Sequence, residues 1–192
     1  MISFKKYLPW LLCIVWLTSR VLVANYVYPQ DSSKAMTFGV ISNLSFIILL
    51  IFSELYFLFK ARRNALPSSF LYELKIVSKP VVLYVIGVGI CLTVFYNFIS
   101  NELERKRELD YILTEQSLDT EEKLNQLRNE NAQLKNFSRE QIINAAHQKI
   151  DLLTNPKVVS SLSFLALVFV GLLYSLFAVF LFRLFVRFQY KQ

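Results

Sequence analysis

Four side chains carry chemistry that matters inside a membrane: Arg20, Asn43, Glu54 and Arg183. Each interrupts or closes an apolar run, where ionisable and amide groups are costly and need partners. Arg20 stands eight residues before Tyr28, about 12 Å below that end of its run at 1.5 Å rise per residue. Its long side chain can snorkel much of that distance. Asn43 and Ser45 descend from the same side and are expected within its reach. Glu54 stands six residues before Lys60, about 9 Å from the opposite boundary and too far in depth to pair with Arg20. Arg183, on the last apolar run, is its expected partner. Such groups either line a solute or proton path or tie helices together, and the second use is the expected one.

Other chemistry is sparse. His147 is the single histidine, so a two-histidine metal site within one chain is excluded, and its polar surroundings read as a solvated helix face. Cys13 and Cys91 both fall in apolar runs, which suggests neither a disulfide framework nor a metal cluster. All four glycines lie within apolar runs, leaving no loop to cradle a phosphate. Asn136-Phe137-Ser138 matches a glycosylation acceptor, relevant only in a eukaryotic secretory setting. Nucleophile, base and metal ligands are not assembled, so no enzyme and no cofactor are expected. The net charge of +7 flanks hydrophobic segments instead of forming a stripe, which marks membrane topology and not nucleic-acid binding.

The elements that must position these groups are membrane helices. With 55% hydrophobic and 15% aromatic residues, the chain has runs of the ~20 residues that cover a ~30 Å hydrocarbon core. The fold class expected is all-α: a four-transmembrane-helix bundle with an amphipathic helical insert between spans three and four. Residues 1–100 hold spans at about 7–28, 38–59 and 80–99, residues 101–156 the insert, and residues 157–192 the fourth span and a basic tail. A cleavable signal peptide is the rival reading of the first run, with Arg20 placed awkwardly for it. Asp31, Ser32 and Ser33 are candidate caps for the second span. Ser68 or Ser69 is expected to cap a short surface helix lying as an elbow before Pro80. Asn155-Pro156 reads as an N-cap followed by proline in the first helical position. Gly87 with Cys91, and Gly171 with Ser175, are spaced to form close helix contacts.

Lys5, Lys6, Lys60, Arg62, Arg63, Lys75, Lys79, Arg183, Arg187 and Lys191 all fall on one side of such a bundle. The positive-inside rule then puts both termini in the cytoplasm and the insert outside. Eleven acidic residues offset eight basic ones within the insert.

The third span is expected to run on as helix into the insert, with Leu109, Ile112 and Leu113 as a narrow apolar edge. Asp119 and Glu122 read as a capping box for a second helix. Ser138 and Gln141 read as a capping box for a third, with Phe137 and Ile142 as its hydrophobic staple. Leu124, Leu127, Asn131 and Leu134 follow the three-four-three spacing of a seam. That seam is expected to pack on Ile142, Ala146 and Ile150, or else to join two chains.

FYNFISNELERKR, then SREQIINAAHQKI, then TNPKVVSSLSFLALVFVGLLYSLF give a layout that resembles an uncharacterised four-span bacterial membrane family, a domain of unknown function. Ser69-Phe70 resembles that family's entry toward the third span. The resemblance implies a multi-pass protein of the bacterial cytoplasmic membrane and carries no activity. Two functions are therefore expected: a membrane-anchored structural or interaction module, binding a protein partner or a second copy through its insert, or a small transporter or channel subunit with Arg20 and Glu54 in the path. Beyond these the lipid bilayer is the only partner implied.

Overall fold

The computed structural model describes residues 2–62, 69–130 and 136–189. It is an all-α protein with no strand among the described residues. Helix α1 is Ile2–Leu22, followed by a π-helical turn at Val23–Val27. Helix α2 is Ser32–Arg62, α3 is Phe70–Val94, and a second π-helical turn follows at Phe95–Ile99. The insert holds α4 (Glu102–Ser117), α5 (Glu121–Glu130) and α6 (Arg139–Thr154), and α7 (Pro156–Gln189) closes the chain. Four segments are long and apolar enough to cross a membrane: Lys5–Val27, Ser32–Lys60, Phe70–Ile99 and Pro156–Val186.

Local chemistry sets the helix ends. Asp31 caps α2, its carboxylate accepting from the Lys34 amide at 3.0 Å, and this bond holds the Asp31 carboxyl below its ordinary value. The Ser69 hydroxyl accepts from the Tyr72 amide at 3.3 Å to start α3. Asn155 starts α7 by accepting from the Lys157 amide at 2.9 Å, with Pro156 in the first helical position.

The bundle is built around α3, which packs on α1, α2 and most extensively on α7. Glu73, Val77, Val81, Tyr84 and Val88 are all buried and recur every three or four residues, one continuous stripe down α3. That stripe explains why the expected elbow is absent. The α3 helix starts at Phe70 and passes through Pro80, because the buried stripe spans the site where the proline removes one helical bond. Small residues let the helices close. A Cβ on Gly171 would sit 2.8 Å from Val81 of α3, and one on Gly87 2.5 Å from the Cys13 sulfur of α1. Ser175, fully buried, returns its hydroxyl to the Gly171 carbonyl at 2.8 Å.

The third span does not continue straight into the insert. After the π-helical turn, Ser100 takes an extended conformation, and its hydroxyl accepts from the Glu102 amide at 3.2 Å. The chain is thereby redirected, and α4 starts afresh. Within the insert α4 packs on α6. The Ser138–Gln141 capping box is formed, with bonds of 3.2 and 2.8 Å. Asp119 pairs with Arg139 at 3.3 Å instead of capping α5. Leu118, Leu124 and Ile142 form a small core with Ile143 against it. Of Leu127 only the backbone is described, and Asn131 and Leu134 lie outside the described residues.

Candidate functional site

Among the described residues three ion pairs involve side chains buried in the bundle, and each joins different helices. Their levels follow from helical rise, counted from the ends of the spans nearest the insert. Arg20 lies about 10 Å down from Val27. Lys5 and Glu54 lie about 33 Å down, and Glu73 and Arg183 about 40 Å down. One pair therefore sits near the insert, one at the far hydrocarbon boundary, and one beyond it.

The pair near the insert is the most enclosed. Arg20 is 1% exposed and its partner Glu102 0%. The Arg20 Nη2 donates to Glu102 Oε2 at 2.6 Å, and Nη1 donates to the Ala35 carbonyl of α2. The Phe95 ring lies 4.9 Å from the guanidinium carbon, a cation–π contact from the second π-helical turn. Gly39 makes room for the stem: a Cβ there would meet Arg20 Nε at 2.7 Å. The side chain thus climbs between α1 and α2 toward the insert and ends on a carboxylate instead of water. Glu102 occupies the first turn of α4, where the helix dipole also favours a carboxylate. Burial nevertheless holds its carboxyl above the ordinary value of 4.5, with Arg20 drawing it back down. Its second oxygen, Oε1, is buried without a hydrogen-bond partner, which accounts for the direction of that shift.

Asn43 and Ser45 are not the partners of Arg20. Asn43 Oδ1 accepts from the Tyr84 hydroxyl at 2.7 Å, and the Ser45 hydroxyl returns to the Ile41 carbonyl at 2.9 Å. Asn43 lies deeper than the climbing guanidinium, and an uncharged amide is satisfied by the buried phenol it faces across α3. Beside it, Trp16 donates to the Gly39 carbonyl at 3.2 Å. Arg183 is not the partner of Glu54. The Arg183 Nε donates to Glu73 Oε2 at 2.8 Å, with its guanidinium 5.5 Å from the Phe70 ring. Glu54 pairs with Lys5 at 2.6 Å, whose ammonium also lies 4.3 Å from the Phe57 ring. The correction for Glu54 has a simple cause: Arg183 lies about 7 Å past the level of Glu54, beside Glu73 on α3.

Sequence reasoning missed Glu102, Glu73 and Lys5. A search for an opposite charge at matching depth on another helix would have found Lys5 and Glu73; Glu102 lies beyond the end of its span, and Arg20 reaches it by climbing toward the insert.

Between the outer pairs the centre is filled by Trp16, Ile47, Leu50, Tyr84, Val85 and Val88, all buried. A recess of about 790 Å³ is an apolar groove between α2 and α7 lined by residues such as Phe52, Tyr56, Phe177 and Phe182. It presents no group for catalysis. No cluster of metal-ligating side chains occurs among the described residues. On the insert, the Tyr111 hydroxyl donates to the Asp151 carboxylate. That bond raises the Tyr111 phenol above its ordinary value. The Tyr111 ring stacks on His147 with centroids 4.3 Å apart. His147 Nε2 stands 3.7 Å from Glu115, too long for a hydrogen bond. These contacts join α4 to α6. They assemble no nucleophile and base.

Comparison with protein-family models, with curated proteins and with solved structures finds no match to this chain.

Proposed function

We propose that the chain is a non-enzymatic, membrane-anchored interaction protein of the bacterial cytoplasmic membrane, presenting its helical insert to a protein partner or a second copy. The observation that carries this reading is an apolar edge on a fixed helix. Leu109, Ile112 and Leu113 each remain 52% exposed, on the same α4 whose first residue is bound to Arg20 in the bundle. An exposed apolar edge on a helix standing outside the membrane spans favours partner contact. The seam residue Leu124 is buried within the insert, which moves the proposed contact surface to α4. Both termini are placed in the cytoplasm and the insert outside, since the bundle end bearing Lys5, Lys6, Lys60, Lys75 and Lys79 fits the positive-inside rule. Membership of the uncharacterised four-span bacterial family belongs to the same proposal.

The transport reading gains little support. Arg20 and Glu54 are roughly 20 Å apart in depth, each is paired within the chain, and apolar side chains fill the space between. Purification of the full chain from native membranes in mild detergent tests the two readings. The proposal expects a stoichiometric partner or a dimer that is lost in Leu109→Glu/Ile112→Glu, with thermal stability kept. A partner-free monomer whose proteoliposomes pass solute in an Arg20-dependent way would transfer the case to transport.

A further inference from the structure

At the bundle end far from the insert, a pocket of about 300 Å³ opens between α1 and α3. Lys5, Lys6 and Lys79 line it, with Glu54 beside them. Glu54 is already neutralised by Lys5 at 2.6 Å. Lys6 and Lys79 are exposed, and neither has an ion-pair partner among the described residues. The pocket therefore presents two uncompensated ammonium groups and a third held in place.

Its level fits a lipid. Lys5, Lys6 and Lys79 all lie about 30–33 Å from the insert ends of their spans, which is the far boundary of a ~30 Å hydrocarbon core. Its walls fit one too. Pro9 of α1 and Pro80 of α3 both line the pocket and donate no amide proton. The carbonyls of Lys5 and Ile76, one turn back, lose their in-helix partners as a result. Cationic donors beside an apolar floor of Pro9, Ile76, Pro80 and Leu83 match a phosphate ester at the start of acyl chains. A soluble anion would gain nothing from that floor.

We infer that this pocket between α1 and α3 is a binding site for the headgroup of an anionic phospholipid of the phosphatidylglycerol type. Lys6 and Lys79 hold the phosphate, and Lys5, fixed by Glu54 and Phe57, completes the cationic wall. Basic pockets between membrane helices at this depth are a recurrent means of holding such headgroups.

Native mass spectrometry of the full chain, released from micelles containing phosphatidylglycerol or phosphatidylcholine, tests this. One phosphatidylglycerol is expected to stay bound per chain while phosphatidylcholine is lost. Lys6→Gln/Lys79→Gln should weaken that retention roughly tenfold or more, and Lys60→Gln, outside the pocket, should leave it unchanged. Both positions are exposed, so the double variant is expected to fold, which circular dichroism would check. Equal retention of the two lipids, or equal loss in Lys60→Gln, would overturn the site in favour of diffuse attraction. Displacement of the lipid by inorganic phosphate at comparable concentration would overturn the lipid assignment in favour of a soluble anion.

Discussion

Arg20 without Glu102 would be a buried cation, and Glu102 without Arg20 a buried carboxylate that can take up a proton. This asymmetry gives a prediction with a definite sign. In Arg20→Leu, the Glu102 carboxyl, already raised by burial, rises further because the opposing guanidinium is gone. A carboxyl whose folded value is raised contributes stability that is fully present below its unfolded value. That stability is lost as pH climbs through the folded value. Arg20→Leu should therefore be nearly as stable as the parent near pH 4.5 and fall behind it progressively up to pH 8, as followed by thermal unfolding in detergent. A variant equally weakened at all pH values would show that Glu102 does not carry the charge. Arg20 itself stands out in the sequence because an arginine within an apolar run demands an explanation. Glu102 does not, because it sits in ELERKRE, where interleaved charges read as a solvated face. Its burial comes from the turn at Ser100, a bend with no proline or glycine to signal it.

The four membrane helices were legible from length and apolar content, and Asn155-Pro156 and the Ser138 capping box from the chemistry of helix starts. Ser69 likewise marked the start of α3, but not its continuation into the third span. Pro80 suggested a boundary, but a buried stripe running through it from Glu73 to Val88 outweighs one lost helical bond. The π-helical turns at Val23–Val27 and Phe95–Ile99 left no mark in the sequence either, although they flank the Arg20–Glu102 pair. In the insert the spacing alone left the use of Leu124 open. Its burial with Leu118 and Ile142 predicts that Leu124→Asp forfeits about 1.5–3 kcal/mol of apolar burial. Hydrogen exchange on the full chain should show faster exchange in α5 and α6, with the bundle unchanged. Leu109→Asp, at an exposed position, should leave exchange unaltered. If both substitutions behave alike, the small core does not hold the insert together.

At the scale of the molecule, buried charges join helices at three depths, and the one nearest the insert ties three separate parts of the chain. Arg20 of α1 reaches the Ala35 carbonyl of α2 and the Glu102 carboxylate of α4. The insert is thereby fixed to the bundle by an ion pair as well as by its covalent connections, and the proposed presentation of α4 depends on it. A double-mutant cycle measures that link directly. Arg20→Leu, Glu102→Leu and the double variant would be unfolded by SDS titration in mixed micelles at pH 8. Removing one partner of a buried pair costs about 3–5 kcal/mol. The double variant should recover much of that loss, with a coupling of about 2–3 kcal/mol. Strictly additive losses would contradict the account, because Arg20 and Glu102 would then act independently and the insert would not be held through them.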